Sequence, residues 1–379
     1  MAATAPKVPQ NIAGFAGAWK GAWGGSLPTA LVVEQVDSNG TAKVIYSWGN
    51  EPDLGIKAGW TRQSGIISSN RLHLLPDDRV IIDFLMETNG TLTGLYEANG
   101  MPSFGTLTRL TNNDFSATIT NTQALGTDWK EVRITERSQV GPTAGKTLTL
   151  QTTIYPVTTP GRHPVVIFNH GSTGPGIIPA TMVFRGGSEE AFFHSLGYIE
   201  VVPMRKGRGN SDGPNVEEDF SLPPSVELDS ALEDVQTVID YLGTLPDVDT
   251  NRIVLSGVSR GGFLSVIYAG RHPAGIVGVI NFSGGWFGEG MPLYSGFNFQ
   301  EFDQAGHDAK VPMLWLYADH DSYYSLKFVE SEFADFEKAG GAGDLVEVRD
   351  MTGEGHMLAM RPDKWRQAVT DYLNKIAKR

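Results

Sequence analysis

Three polar residues of this 379-residue chain stand where they could carry out nucleophilic chemistry together. Ser259 lies in a Gly-x-Ser-x-Gly motif, directly after the apolar run 253–255. A serine hydroxyl is a weak nucleophile unless a base takes its proton and an acid orients that base. His356 and Asp321 lie downstream, each soon after another strand-like apolar run. The sequence therefore predicts a serine–histidine–aspartate triad that acts on acyl groups.

The motif around Ser259 gains meaning from the segments on either side of it. An apolar strand-like run precedes the motif, and residues 263–269 follow it without Pro or Gly, as a buried helix would. Gly257 and Gly261 suit a turn so tight that a Cβ atom would collide with its neighbours. Such a turn predicts a strained backbone at the serine, with the hydroxyl lifted into a cleft.

Two aspartates compete for the position of the acid. Asp319 and Asp321 both follow the apolar run 311–317, and both precede His356 in the chain. The order serine, acid, histidine differs from that of chymotrypsin and subtilisin and is typical of one fold family. Position along the chain alone leaves both aspartates open.

With these residues the chain resembles the α/β-hydrolases, in particular the dienelactone-hydrolase-like esterases and peptidases. The resemblance covers residues 129–379 and rests also on two segments that follow strand-like runs. These are His170-Gly171-Ser172 and 205–213, similar to the family's His-Gly-x and Arg-Gly-x-Gly-x-Ser-x-Gly. Dienelactone hydrolases proper use a cysteine nucleophile, whereas this chain has no cysteine. The likeness therefore implies a shared fold and not a shared substrate.

The resemblance implies roles for individual residues. The family places its acid three residues after a small residue, here Ala318, which favours Asp321 over Asp319 as the group that fixes the histidine tautomer. The oxyanion hole is implied to be the backbone N–H groups of Arg260 and Ser172. The implied function is a serine hydrolase that cleaves carboxylic esters through an acyl-enzyme. Peptidase or amidase action on the same site is the alternative, and a non-catalytic binding protein is the third.

Two further groups of residues are candidates for contact with the substrate. Arg205 follows a strand of the expected parallel sheet and could meet a substrate carboxylate. More often such arginines pair with neighbouring acids, here Asp212 or Asp234. An aromatic segment near 285–305 lies where the family often has cap insertions. We expect it to line the pocket or to pack the cap through Trp286, Phe287 and Tyr294.

The first third of the chain reads differently from the rest. Residues 12–110 hold strand-like runs joined by polar turns, including the hairpin signal Asn39-Gly40. This pattern predicts a small antiparallel all-β barrel domain at 1–118. Residues 119–379 are then an α/β-hydrolase domain with a doubly wound, mostly parallel sheet, since apolar runs alternate with helical segments. Gly17-Ala18-Trp19 is similar to the Gly-x-Trp sequence at the start of lipocalin-like barrels. The tryptophan could plug one end of the barrel or contact a ligand.

Composition excludes several classes of partner. The net charge of −13 argues against nucleic acid, and no apolar run approaches the roughly 20 residues that span a bilayer. The absence of cysteine removes disulfides and thiolate metal sites, and we expect neither cofactor nor metal. The expected partner is a small-molecule ester or amide substrate, with the oligomeric state open. Residues 1–8 hold no signal-peptide core, which leaves secreted, periplasmic and cytoplasmic locations open.

Overall fold

The computed structural model describes residues 8–24, 27–50, 56–77, 80–87, 90–98, 101–110, 129–172, 183–185, 188–219, 221–272, 274–291, 295–351 and 354–378. The chain divides into two compact units, residues 1–128 with 185–191 and residues 129–184 with 192–379. The domain boundary predicted between residues 118 and 119 lies outside the described residues.

The first unit is a closed barrel of eight antiparallel strands, in which each strand pairs with the next and the last pairs with the first. The short helix α1, Gln10–Ala13, precedes it. The strands are β1 Gly17–Trp23, β2 Leu27–Val36, β3 Thr41–Trp48, β4 Gly59–Ser68, β5 Arg71–Asp77, β6 Val80–Met86, β7 Leu92–Ala98 and β8 Met101–Arg109. The predicted antiparallel β-domain is confirmed as an up-and-down barrel, an architecture that lipocalins also have.

Large side chains fill the inside of the barrel. Trp19 is fully buried, its indole donates to the Phe15 carbonyl at 3.0 Å, and the Arg109 guanidinium lies 4.0 Å from the centroid of its ring. Deeper inside, the Trp23 indole donates to the Tyr46 hydroxyl at 2.8 Å. Small barrels are commonly filled by their own side chains in this way. Of the two roles predicted for Trp19, the structure therefore supports the plug.

The second unit is built on one eight-stranded sheet. Its strands are β9 Lys130–Arg137, β10 Thr147–Tyr155, β11 His163–Asn169, β12 Ile199–Pro203, β13 Val248–Val258, β14 Ile276–Phe282, β15 Met313–Ala318 and β16 Gly343–Val348. They lie side by side in the order β16-β15-β14-β13-β11-β12-β10-β9. The strands β9 and β10 are antiparallel to their neighbours, whereas β11 to β16 pair in parallel. The predicted mostly parallel sheet is confirmed.

Helices cover both faces of this sheet. They are α2 Ser188–Ser195, α3 Pro224–Leu242, α4 Arg260–Arg271, α5 Ser295–Asp308, α6 Leu326–Lys338 and α7 Pro362–Ile376, with 3₁₀ helices at Gly141–Thr143, Val216–Glu218 and Gly355–Met360. Val165 of β11 belongs to the core that includes Leu228 of α3, and Val166 to the core that includes Trp365 of α7. Burial on both faces explains why these strands read as continuous apolar runs. Among the described helices, none is both long and apolar enough to cross a membrane.

Residues 295–305 of the aromatic segment predicted as a cap belong to a helix that packs against the sheet. Residues 295–308 form α5, which lies in the crossover from β14 to β15. Phe302 is fully buried there, with ring centroids 4.8 Å from Phe263 of α4 and 4.5 Å from Trp315 of β15. The sequence pattern misled because aromatic residues suit a buried crossover helix as well as a lid.

Candidate active site

Ser259 occupies the turn between β13 and α4 with a positive φ. Its φ is 57° and its ψ is −126°, a conformation that a non-glycine residue keeps only when its surroundings enforce it. The Ser259 N–H donates to the Phe282 carbonyl at 3.0 Å, and its carbonyl accepts from the N–H groups of Phe263 and Gly285 at 3.1 and 3.2 Å. The turn is therefore fixed at the carboxyl end of the sheet, where open α/β sheets bind their ligands.

Close backbone packing around Ser259 explains the neighbouring glycines. A Cβ atom on Gly257 would lie 2.5 Å from the Asn169 carbonyl oxygen, and one on Gly261 only 1.9 Å from that oxygen. A Cβ atom on Gly171 would lie 3.1 Å from the Ser259 Cβ atom. The loop after β11 thus passes directly against the serine, as the position of the His-Gly segment predicts.

His356 and Asp321 form a largely buried hydrogen-bonded pair. His356 Nδ1 lies 3.0 Å from Asp321 Oδ2 and 3.2 Å from Oδ1, with 13% of the histidine side chain and none of the aspartate side chain exposed. Asp321 Oδ1 also accepts the backbone N–H groups of Tyr323 and Tyr324, at 2.8 and 3.1 Å. An ionised carboxylate can only accept hydrogen bonds. The pair therefore favours the tautomer with the proton on Nδ1 and leaves Nε2 free to act as a base.

Asp319 has different partners from Asp321. Its carboxylate accepts the Met351 N–H at 3.0 Å, and its own N–H donates to the Val348 carbonyl at 2.8 Å. These bonds join the end of β15 to the chain that leaves β16. The geometry thus pairs His356 with Asp321 and not with Asp319, while the catalytic role of Asp321 stays a prediction.

Gly285 and Tyr324 connect Ser259 to the histidine. Gly285 donates to the Ser259 carbonyl, and a Cβ atom on Gly285 would lie 2.3 Å from the Tyr324 hydroxyl oxygen. The Tyr324 ring centroid lies 5.8 Å from that of His356. The contacts of the described residues include no hydrogen bond from the Ser259 hydroxyl to His356. Such bonds are often long in free enzymes and shorten when substrate binds.

One predicted oxyanion donor follows the serine in the chain, and the other follows a glycine that packs against it. Arg260 is the first residue of α4, so its N–H has no acceptor within the helix and lies at the positive end of the helix dipole. Ser172 follows Gly171, the residue packed against Ser259. These are suitable groups for an anion, and their role as an oxyanion hole remains a prediction.

Arg205 is buried inside the protein and does not lie at an open surface. The side chain is 1% exposed, forms a two-point ion pair with Glu217, and donates to the His170 carbonyl at 2.8 Å. Of the acids predicted as partners, Asp234 pairs with Lys206 instead, and Arg205 is bound by Glu217. The expected contact of Arg205 with the substrate is therefore wrong. The side chain instead supports the loop after β11.

His170 is the first residue of this loop, and its buried imidazole is neutral. Burial, together with the nearby charge of Arg205, lowers the pKa of His170 to about 3. Its Nδ1–H donates to the Gly171 carbonyl at 2.7 Å, and its Nε2 accepts the Arg205 N–H at 3.2 Å. Both ring nitrogens are thus engaged, so His170 braces the loop and does not offer a second base.

The aromatic residues predicted to line the pocket belong mainly to the core. Trp286 is 2% exposed and Phe287 is 1% exposed. The Trp286 ring lies 5.8 Å from that of Phe263, and its indole donates to the buried Glu227 at 3.1 Å. Of the two roles predicted for this segment, packing is the one that these contacts support. Tyr294 lies outside the described residues.

Sequence reasoning missed Tyr323, which lies beside the histidine. Its ring centroid is 4.5 Å from that of His356, and 48% of the residue is exposed. Its carbonyl accepts the Glu289 N–H at 2.9 Å and its own N–H donates to Asp321, so both backbone groups of Tyr323 are bound. Two tyrosines at the second and third positions after the predicted triad acid were an available signal. Glu217 was missed as well, because nothing in its spacing from Arg205 suggests an ion pair.

The topology gives the second unit a mostly parallel sheet covered by helices and the first unit a closed barrel. No family model and no curated protein matches the chain. Solved structures similar to it include an esterase of Pyrococcus furiosus, with 16% identity over 70% of this chain and 94% of that chain and a TM-score of 0.48.

Two other similar structures cover the chain differently. Acetyl xylan esterase 1 of a Thermoanaerobacterium species is 14% identical over 66% of this chain and 88% of that chain, with a TM-score of 0.45. A Bacteroides ovatus protein assigned as a dipeptidyl aminopeptidase IV is 15% identical over 91% of this chain and 50% of that chain, with a TM-score of 0.49. At these identities and TM-scores, the similar structures do not indicate a reaction for this chain.

Proposed function

We propose that the chain is a serine hydrolase that cleaves carboxylic esters through an acyl-enzyme. The observation that carries this proposal is a strained serine at the same sheet edge as a largely buried His356–Asp321 pair. A positive φ at a non-glycine residue is unfavourable and is typical of functional sites. An oriented imidazole beside such a serine is the arrangement that acyl transfer requires.

The proposed reaction has two halves. His356 Nε2 takes the Ser259 proton as the Ser259 oxygen attacks the ester carbonyl carbon, and Asp321 stabilises the imidazolium. The backbone N–H groups of Arg260 and Ser172 donate to the oxyanion. The imidazolium then protonates the leaving alcohol, which leaves an acyl-enzyme. A water molecule, deprotonated by the same histidine, attacks that acyl-enzyme and releases the carboxylic acid.

The exposed face of Tyr323 suggests which esters bind well. Its ring stands beside the histidine, where the leaving group or the acyl chain of a bound ester would pass. Covering about 50 Å² of aromatic surface contributes about 1.2 kcal/mol, roughly an eightfold gain in kcat/KM. We therefore expect aryl and medium-chain acyl esters to react faster than sugar acetates.

A side-by-side assay tests the proposal. The purified protein and Ser259→Ala would be given p-nitrophenyl butyrate, an acetylated sugar and an aminoacyl p-nitroanilide. We expect fast cleavage of the butyrate by the wild type alone. If the anilide is cleaved faster than the butyrate, the protein is a peptidase and not an esterase. If the sugar acetate is cleaved fastest, the proposed preference for aryl and medium-chain acyl esters is wrong. Equal rates for both proteins would overturn the proposal.

A further inference from the structure

Glu217 is a buried carboxylate in the short 3₁₀ helix Val216–Glu218, with three arginines around it. The residue is 4% exposed. Its carboxylate accepts two hydrogen bonds from Arg205, one of them at 3.0 Å, and lies 3.9 Å from the Arg208 guanidinium. Its backbone carbonyl accepts a hydrogen bond from the Arg260 guanidinium. One residue thus anchors side chains from two different parts of the sheet edge.

Arg205 connects Glu217 to the loop after β11. Its guanidinium donates to the His170 carbonyl at 2.8 Å and to the Gly171 carbonyl at 3.5 Å. The same arginine's backbone N–H donates to the neutral His170 ring at 3.2 Å. Because Gly171 packs against Ser259, a shift of this loop would move the N–H of Ser172 relative to the serine.

Arg260 connects Glu217 to the other side of the site. Its guanidinium binds the Glu217 carbonyl and the Trp286 carbonyl, the latter at 3.1 Å. The arginine side chain is therefore pinned at both ends of its planar group. The backbone N–H of this residue is the second predicted oxyanion donor, so the side-chain contacts restrain the first turn of α4.

We propose that Glu217 is a positioning residue whose carboxylate, through Arg205, holds the loop that carries the Ser172 half of the oxyanion hole. The inference rests on the proposed function and goes beyond it, since Glu217 touches neither the serine nor the histidine in the described contacts. A donor must lie close to where the oxyanion forms, and losing one donor costs about a hundredfold or more in kcat. Loss of the carboxylate removes the partner of Arg205 and Arg208 but keeps the backbone carbonyl that Arg260 binds. It should therefore displace the Ser172 donor and lower kcat in the same way.

The electrostatics agree with this role. Burial alone would raise the pKa of Glu217, but the charges of Arg205, Arg208 and Arg260 hold it well below its ordinary value. The carboxylate is therefore ionised at every pH at which the enzyme would work. Removing its charge leaves buried guanidinium groups without their counter-ion, which is strongly unfavourable. Arg205 and Arg208 would then rearrange, and the loop bound to Arg205 would follow.

The test compares Glu217→Gln with Glu136→Gln. Glu136 is also a buried carboxylate with a cationic partner, Lys206 Nζ at 2.6 Å, and its described contacts do not include the loop after β11 or Arg260. Active sites would be counted with a phosphonate, and kcat, KM and the inhibition constant of an aryl trifluoromethyl ketone would be measured per active site. Such a ketone becomes an oxyanion when the serine adds to it, so it reports directly on the hole.

We expect Glu217→Gln to lower kcat at least about tenfold with KM nearly unchanged. The inhibition constant of the ketone should rise by the same factor. Glu136→Gln should keep the wild-type kcat and the wild-type inhibition constant per active site, even if it unfolds at a lower temperature. If Glu217→Gln does not fold, Glu217→Asp, which keeps the charge and shortens the side chain, should show a smaller loss of the same kind. An unchanged kcat and ketone affinity in the folded variant would overturn the inference. An inactive wild type would instead overturn the proposed function.

Discussion

Two aspartates, separated by one residue, show how local contacts divide similar side chains between roles. Asp321 lies under His356 and accepts backbone N–H groups from the two following tyrosines. Asp319 accepts from Met351 and ties together the ends of two strands. A carboxylate orients an imidazole only when it reaches Nδ1. Which aspartate reaches it depends on the turn, and the positive φ of His320, 60°, is part of that turn.

This difference predicts unequal effects of the same substitution. Asp321→Asn should lower kcat about a thousandfold or more, because an amide stabilises the wrong tautomer and cannot stabilise the imidazolium. Asp319→Asn should lower kcat far less and act mainly on stability. Steady-state kinetics of the two folded variants give the ranking. The reverse ranking would assign the acid to Asp319.

Glu332 on α6 predicts a pH dependence of stability. Its side chain is fully buried, and burial raises the pKa of Glu332 from 4.5 to about 8. The folded chain thus keeps a proton that the unfolded chain has already lost above pH 4.5. The stabilisation by this proton is complete below 4.5 and is lost as the pH rises through about 8.

Replacing Glu332 removes the buried charge that forms at high pH. Glu332→Gln should unfold close to the wild-type Tm at pH 5 and above it at pH 9. A pKa change of one corresponds to about 1.4 kcal/mol, so the difference at pH 9 should exceed about 1 kcal/mol. Thermal unfolding across this pH range measures it. Parallel Tm curves for the two proteins would show that Glu332 does not titrate in this window.

At the scale of elements, the strand–turn–helix around Ser259 is the part that the sequence predicts best. An apolar run, two glycines and a helix without breakers agree with one another, and the structure places β13, the turn and α4 there. The roles of Trp286 and Arg205 could not be predicted in the same way. Both depend on which distant element packs against them, namely α3 through Glu227 and the 3₁₀ helix through Glu217.

Because this turn is tightly packed, adding one methyl group at Gly261 should lower both stability and activity. Gly261→Ala would place a Cβ atom 1.9 Å from the Asn169 carbonyl oxygen, which forces α4 away from β11. We expect a Tm lower by about 5 °C or more and a large loss of ester hydrolysis. Gly290→Ala is the matched control, since a Cβ atom there meets nothing within 4 Å. Equal behaviour of the two variants would contradict the described packing.

At the scale of the whole molecule, the barrel and the eight-stranded sheet have separate cores. The barrel core contains Trp19, Trp23 and Phe84, whereas both cores of the sheet are formed by residues from 129 onward. Sequence alone predicts this division because turn-rich strands give way to alternating strands and helices. It does not predict that the barrel interior is filled, since the size of a barrel follows from strand pairing.

Separate cores predict that the second unit keeps the proposed chemistry when the barrel is removed. A chain that begins at Trp129 should fold and cleave a small activated ester, since the proposed triad and oxyanion donors all belong to the second unit. The measurement is phosphonate labelling of the truncated protein, with circular dichroism as the control for folding. A well-folded truncation without phosphonate reactivity would show that the barrel shapes the site.

The most direct test of the proposed nucleophile is covalent labelling of Ser259 by a fluorophosphonate. Intact mass and peptide mapping should find one adduct per chain, on the peptide that holds Ser259, with loss of ester hydrolysis in proportion to labelling. Ser259→Ala should take up no label and keep less than about a thousandth of the wild-type kcat. An adduct on another residue, or a Ser259→Ala protein that keeps more than about a tenth of the activity, would contradict the assignment.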